Sequence, residues 1–524
     1  MSSLVSLEVK QPEWEKSSEE VFIGKDILEL LSTSMYVEPL SLYREYVQNA
    51  ADSIEITKGS IDPALPYDVQ ITIDRQQRSI RITDRGVGLS ASEFCRKLTS
   101  IGGSTKRGSK ARGFRGVGRL AGLAFCQELI FRTRAAGSSR IHELRWDTRK
   151  VRALLRAADM RMDLATIVAE SVEIRSLAAN IAPKHFFEVE LRNVVRHRDD
   201  RLLNAPEVSS YLSQVAPVAF RPEFSFGTQI NSFLEEAGVA LIPLSINVEG
   251  EGLVYRPHRD VISSGGKLVR MHELETLKTF DREGNISAAS WILHHDYVGS
   301  LSKSTLLNGW RFRSGDIQVG DNALLEDAFP ETRFNGWTIA ETHVLDRKIV
   351  PNGRRDNYEH SAYFSDLQTR LTPFAREIGH RCRISSIARN AMHRLAFDLD
   401  KCDEKLAIAL KPRTPSFVAS ALKGEVAIAL PTIERTASKS LFDSTEGEKL
   451  RARVRKIAGR LRQVGGMERK TSALSDFPTV QRGIIKQIIE AIHVIEGHSE
   501  DADKLVGKIL GRLRKQRASR VSKR

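Results

Sequence analysis

The chain is 524 residues long, a length that exceeds one compact core and implies roughly two to four domains. Its 41% hydrophobic and 28% charged content is that of an ordinary soluble protein, and no apolar run is long enough to span a bilayer; the best candidate, Leu120 to Phe131, is short and holds Gln127 and Glu128. The four cysteines (Cys95, Cys126, Cys382 and Cys402) form no C-x-x-C pair, which argues against a zinc site or disulfide framework, and 80 Lys and Arg against 66 Asp and Glu give +14, which admits an anionic partner.

Met1 to Glu20 lacks the basic-then-apolar order of a signal peptide, so the cytoplasm is the expected location. Val21 to Lys58 reads as two helices. The first covers about Gly24 to Ser34, Pro39 marks a restart, and the second covers about Leu40 to Ile56. On that second helix Glu45, Asn49 and Asp52 stand at i, i+4 and i+7, a polar stripe on one face.

Two strands follow. Val69, Ile71 and Ile73 alternate with polar residues, as do Ile80 and Ile82, with Arg75 to Arg78 as the turn. Asp84 is expected just past the second strand. The glycines of Asp84-Arg85-Gly86-Val87-Gly88 leave space beside its carboxylate. Ser100 to Gly118 holds six glycines and reads as a mobile loop feeding a helix at Arg119 to Gln127, an arrangement that binds anions through backbone amides. It is not a Walker A loop.

Helical and strand patterns alternate from about Pro206 to Leu371, which predicts a second α/β domain. Its strands include Pro243 to Val248 and Trp337 to Val344. His294-His295-Asp296 has no third ligand in sight and reads as structural. Lys411 to Ser440, with Pro412, Pro415 and Pro431, reads as a linker. Leu450, Val454, Ile457 and Leu461 mark a helix. An isoleucine stripe from Ile484 to Ile495 marks another, either half of a hairpin or a dimer interface. Gly511 to Arg524 carries seven basic residues and no acidic one, a solvated tail or a nucleic-acid contact. The expected boundaries are an extension over 1–20, domains over 21–204 and 205–374, and a helical region with a basic tail over 375–524.

The N-terminal residues together suit phosphoryl transfer to water. Glu45 could deprotonate a water, Asn49 offers a hard oxygen to Mg2+, and Asp84 could accept from an exocyclic amine and so select adenine. Lys106 and the glycine-rich loop would close over phosphates.

The run resembles the GHKL ATPases: gyrase, the ninety-kilodalton heat-shock chaperones, histidine kinases and MutL. It is most similar to the chaperone branch. Glu29-Leu30-Leu31, Arg44-Glu45, Asn49, Asp52 and Ile54 match that branch's opening helices, and Ile101 to Lys106 looks like its first lid segment. Gly113-Phe114-Arg115-Gly116-Val117-Gly118 looks like its phosphate-binding motif, although MutL shows Gly-Phe-Arg-Gly as well.

The resemblance implies an α+β fold: a GHKL α/β sandwich, an α/β middle domain and a helical C-terminal region. It implies ATP as nucleotide, Glu45 as base, Asn49 as magnesium ligand, and Asp84, Gly86 and Gly88 at the adenine. Lys106 and Gly113 to Gly118 would lie at the phosphates. Val350 to Asp356 looks like the middle-domain loop that sends an arginine to the γ-phosphate, and Arg355 is favoured over Arg354. Two departures stand out. The lid between Lys106 and Gly113 is short, and Phe187 stands where a family threonine would help bind adenine.

The expected function is a chaperone-like, ATP-hydrolysing machine acting on protein clients, with a homodimer as a candidate assembly and no membrane partner. The rival is an ATP-gated nucleic-acid clamp of the MutL or MORC type, which the basic tail favours. A histidine kinase is disfavoured, because only about twenty residues precede the ATP domain here, where that class carries its phosphoacceptor helices.

Overall fold

A computed structural model describes residues 38–57, 66–100, 118–157, 163–179, 183–196, 199–412, 414–464, 477–495 and 500–521. The expected helix at Gly24 to Ser34 and the loop residues Lys106, Gly113, Phe114, Arg115, Gly116 and Val117 lie outside the described residues. The fold is α+β, with two compact units, Met1–His380 and Arg381–Arg524.

The first unit opens with helix α1 (Ser41–Thr57) and the hairpin of β1 (Val69–Asp74) and β2 (Ser79–Asp84). Helix α2 (Ala91–Thr99), a 3-10 turn (Gly118–Ala124), β3 (Glu128–Arg134) and β4 (Arg140–Asp147) come next. Then follow α3 (Thr148–Arg156), α4 (Leu164–Ser171), β5 (Val172–Ala178), β6 (Phe186–Arg192), α5 (Ala205–Val215) and α6 (Gly227–Glu236). The helix expected at Arg119 is this short 3-10 turn. Strands β7 (Ile246–Val248) and β8 (Gly252–Leu253) complete an eight-stranded sheet in the order β5-β4-β3-β6-β2-β1-β7-β8.

Alternation makes this sheet two-faced. Ile71, Ile80, Ile82, Leu129, Phe131, Leu144, Trp146, Val189 and Leu191 join Leu42, Val47, Ala50 and Ile54 of α1 in one core. The opposite face carries a charge ladder in which Arg132 reaches Glu143, Glu188 and Glu190. Strand Pro243 to Val248, expected in the second domain, instead pairs in parallel with β1, Val69 opposite Ile246. Asp68 secures this junction by accepting from both the backbone N–H and the hydroxyl of Ser245.

The second sheet holds β9 (Val261–Ser264), β10 (Lys267–Phe280), β11 (Ile286–His295), β12 (Gly309–Ser314), β13 (Ile317–Val319) and β14 (Ile339–Val344), in the order β13-β12-β14-β11-β10-β9. Its β12–β14 pairing is parallel. Arg256 and Arg313 are buried and share Glu341, each with a nitrogen 2.8 Å from Oε2. Arg313 also donates to the carbonyl of Gln214 at the C-terminal end of α5, where unpaired carbonyls concentrate. His294 bonds Tyr297 and Glu275, and His295 bonds the Trp337 carbonyl, so both rings have protein partners.

Helix α7 (Ala362–Ala409) begins in the first unit and runs into the second, which adds α8 (Ser416–Ala437), α9 (Thr445–Val464), α10 (Thr479–Ile495) and α11 (Glu500–Val521). The expected linker is therefore corrected: 416–437 is helical. Val418, Leu422, Val426, Leu430 and Ile433 recur on one buried side, and tertiary packing outweighs the helix cost of Pro431. On α10, Ile485 and Ile489 pack in a cluster with Val506 and Leu510 of α11, while Ile484, Ile488 and Ile495 stay exposed. The basic run expected as a tail is helical through Val521, with Arg512, Arg514 and Lys515 exposed.

No helix among the described residues is long and apolar enough to cross a membrane. All four cysteines are free.

Candidate functional site

Helix α1 carries the first group of site residues. Its apolar side is buried, which leaves Glu45 and Asn49 half-buried at the rim and Asp52 buried. Tyr46 pins α1 to the 3-10 turn: its hydroxyl donates to the Arg119 carbonyl at 3.2 Å and accepts from the Gly122 N–H at 3.0 Å. Gly118, the one described residue of the glycine motif, is thereby held against Glu45. A Cβ at Gly118 would come 2.3 Å from Glu45 Oε2, so any side chain here displaces the Glu45 carboxylate. Arg119 in turn donates to the Ser100 carbonyl at 2.5 Å, bringing together the chain on either side of 101–117.

The second group sits at the end of β2. Asp84 is the strand's last residue and is buried. Its Oδ1 accepts from the Gly86 N–H at 2.8 Å. Burial pushes the carboxyl up to about 7, against the pull of that N–H. Gly86 packs so closely on Ser53 of α1 that a Cβ would fall 2.1 Å from the serine oxygen. Gly88 has φ +69°, and a Cβ there would meet the Arg134 carbonyl at 2.2 Å. Arg85 pairs with Asp68, the residue that also holds Ser245.

Phe187 lies directly opposite Asp84 in the β2–β6 register. The side chain that touches this turn is two residues earlier: His185 Nδ1 is 2.8 Å from the Gly86 carbonyl oxygen. Thr133 closes the other side, donating to the Phe186 carbonyl and accepting from the Leu89 N–H, each at 2.9 Å. Sequence reasoning missed His185, because a half-buried histidine before a strand carries no motif of its own.

The third group comes from the second sheet. In the loop Val350 to Asp356, Arg354 is exposed and Arg355 is buried. Arg355 has φ +56°, an uncommon conformation for a residue with a side chain. The loop is held by Asn352 Nδ2 donating to Asp356 Oδ1 at 2.6 Å and by the Gly320 N–H donating to the Arg355 carbonyl at 2.8 Å. Burial lowers the Arg355 pKa from the ordinary arginine value, Glu45 opposes the shift, and Arg44 adds to it. Arg44 reaches across and donates to the carbonyls of Arg354 at 3.0 Å and Arg355 at 3.4 Å, while lying 3.4 Å from Glu45 Oε1. Arg44 thus meets the arginine loop from the helix that also carries Glu45, although more than 300 residues separate Arg44 from the loop in sequence.

Asn49 is one helical turn from Glu45 and makes no side-chain hydrogen bond among the described residues. Its amide oxygen is a hard donor of the kind Mg2+ accepts.

A profile of the family described as "Histidine kinase-, DNA gyrase B-, and HSP90-like ATPase" matches residues 43–170. Chaperone protein HtpG of Bacillus velezensis is 26% identical over 132 residues, 22% of this chain and 21% of the relative. HtpG of Nitrosomonas eutropha is 29% identical over 144 residues, 24% and 22% of the two chains. A mitochondrial TNF receptor-associated protein 1 homolog of Dictyostelium discoideum is 31% identical over 84 residues, 14% and 12%. The matched stretch spans about a fifth of the length of these relatives or less. Over residues 43–170 the N-terminal domain is thus of the histidine kinase-, gyrase B- and HSP90-like ATPase type, and over that stretch it is similar to chaperone proteins.

Proposed function

We propose that the protein is a magnesium-dependent, chaperone-like ATPase that acts on protein clients. The observation that carries this reading is the seating of the Arg355 loop beside Glu45, which joins the second sheet to the helix of the ATP domain. Asp84 accepts from the adenine amino group, and Gly86 and Gly88 let the turn beside it pack against Ser53 and the Arg134 backbone. Glu45 orients and deprotonates the attacking water. Arg355 neutralises charge developing on the terminal phosphate, and Arg44 positions its loop. Asn49 would hold Mg2+, which supplies charge neutralisation between the phosphates. Lys106 and Gly113 to Gly118 would enclose the phosphates. The boundaries proposed for this machine start from an ATP domain over 21–204, a middle domain over 205–374 and a helical region over 375–524, with helix 205–215 and strand 246–248 going to the ATP domain because they pack with its sheet and core.

The test combines ATP turnover with suppression of aggregation of a thermally unfolded model client, followed by light scattering. Wild type should hydrolyse ATP and suppress aggregation in an ATP-dependent way, and Glu45→Ala should do neither while still binding ATP. ATP turnover without any effect on the client, together with salt-dependent DNA binding that vanishes on deleting Gly511 to Arg524, would replace the chaperone reading by the nucleic-acid clamp.

A further inference from the structure

The Gly86 backbone is held on both sides of its Cα. Its N–H donates to Asp84 and its carbonyl oxygen faces His185 Nδ1, both at 2.8 Å. A carbonyl oxygen only accepts, so Nδ1 carries the hydrogen of this bond. In a neutral imidazole that fixes the tautomer and leaves Nε2 as an acceptor. Among the described residues no group bonds Nε2. The ring is half-buried at the entry to β6, next to Phe186, whose carbonyl is taken by Thr133, and two residues before Phe187, the register partner of Asp84. The turn from Asp84 to Gly88 is therefore flanked by a carboxylate and by an imidazole acceptor.

We propose that His185 is a specificity-determining residue of the nucleotide pocket, its Nε2 accepting one hydrogen of the adenine 6-amino group, directly or through one water, while Asp84 accepts the other. The proposal rests on Asp84 as the base-binding carboxylate. Two acceptors match an amino group, which has two hydrogens to give. A 6-oxo purine presents an oxygen instead and leaves both acceptors facing lone pairs, and a site built to bond a donor rejects an analogue that lacks it. His185 also holds the Gly86 carbonyl, so it orders the turn on which Asp84 depends.

The test measures calorimetric affinities of the full chain for ATP, inosine triphosphate and N6-methyl-ATP. Wild type should prefer ATP over inosine triphosphate and should bind N6-methyl-ATP about tenfold more weakly than ATP, since one amino hydrogen is gone. His185→Phe keeps a ring but no nitrogen. It should shrink the ATP to inosine triphosphate ratio about tenfold and bring the ATP to N6-methyl-ATP ratio close to one, because Asp84 alone needs a single hydrogen. A role only in holding the Asp84 turn would leave the preference for ATP over N6-methyl-ATP in place. His185→Gln, which restores an acceptor, should recover part of the ratio. An unchanged ratio in the His185→Phe variant, or equal wild-type affinity for ATP and N6-methyl-ATP, overturns the inference. The N6-methyl-ATP measurement needs no variant to fold. Asp84→Asn separates the two readings: if it abolishes ATP binding while His185→Phe changes nothing, only the histidine assignment fails, and if it leaves binding intact, the base pocket itself is misplaced.

Discussion

The Arg44 guanidinium donates to the Arg354 carbonyl at 3.0 Å, so the residue preceding Glu45 on helix α1 holds the backbone of the loop that presents Arg355. The same guanidinium reaches the Arg355 carbonyl and Glu45. A planar fork can serve three acceptors in this geometry, and a lysine ammonium cannot. Arg44→Lys should lower turnover about 10- to 100-fold and change ATP affinity less than about threefold, because it loosens positioning and spares the base pocket. Steady-state hydrolysis and calorimetry measure the two separately. An equal loss in both would mean that Arg44 only supports the fold.

Glu45→Gln keeps the size and removes the base. It should retain nucleotide affinity and lose at least about a hundredfold in turnover. Arg355→Ala should also slow hydrolysis with little change in binding. If Arg354→Ala has the larger effect instead, the exposed arginine is the one that reaches the phosphate.

Asp84 sets a pH signature. Its carboxyl is raised from 3.8 to about 7 by burial, so in the folded chain ionisation costs free energy that grows above pH 4 and is complete above about pH 7. Asp84→Asn removes that cost. The variant should melt a few degrees above the parent at pH 8, with the gap narrowing toward pH 5, and should bind no ATP. In the parent, ATP affinity should fall as pH drops below about 7, because a protonated carboxyl accepts more poorly. Titrations from pH 5 to 8 check this; a flat profile would be inconsistent with an ionised Asp84 accepting from the base.

Gly118→Ala places a methyl group on the Glu45 carboxylate, the two atoms 2.3 Å apart before relaxation. The carboxylate must move, so turnover should fall at least about tenfold while the melting temperature changes little. Gly88→Ala differs. The clash is with the backbone of Arg134, and φ is +69°, so a stability loss of about 1–3 kcal/mol is expected with loss of ATP binding. Thermal melts of the two variants side by side distinguish these effects.

The second sheet depends on Glu341, which is buried between Arg256 and Arg313 and held well below the usual carboxylate range by those arginines despite burial. Glu341→Ala leaves two buried guanidinium groups short of a partner and should destabilise by about 3–5 kcal/mol in chemical denaturation. The sign for the parent follows from the lowered pKa. The stabilisation from Glu341 is complete above its unfolded value near 4.5 and is lost as pH falls through the folded value.

Local sequence determined much of the first domain. The spacing of Glu45 and Asn49 against Leu42, Val47, Ala50 and Ile54 places those two at the rim of α1, although Asp52 of the same stripe is buried, and period-two alternation with a four-residue turn fixes the β1–β2 hairpin and places Asp84 at its end. These features depend on near neighbours along the chain, so the pattern carries them. Other features depend on partners far away. Whether Ile246 to Val248 joins the first or the second sheet is set by pairing with β1, which no local period encodes. Residues 416–437 are helical because their apolar stripe meets other helices of the second unit, a gain that outweighs three prolines in and around the segment. The meeting of Arg44 with the Arg355 loop, and of His185 with Gly86, arises only when distant strands and loops pack. The sequence alone therefore determined the chemistry available on α1 and at the end of β2, and the tertiary structure decided which distant residues stand beside it, because contact across hundreds of residues is a property of packing and leaves no periodic trace.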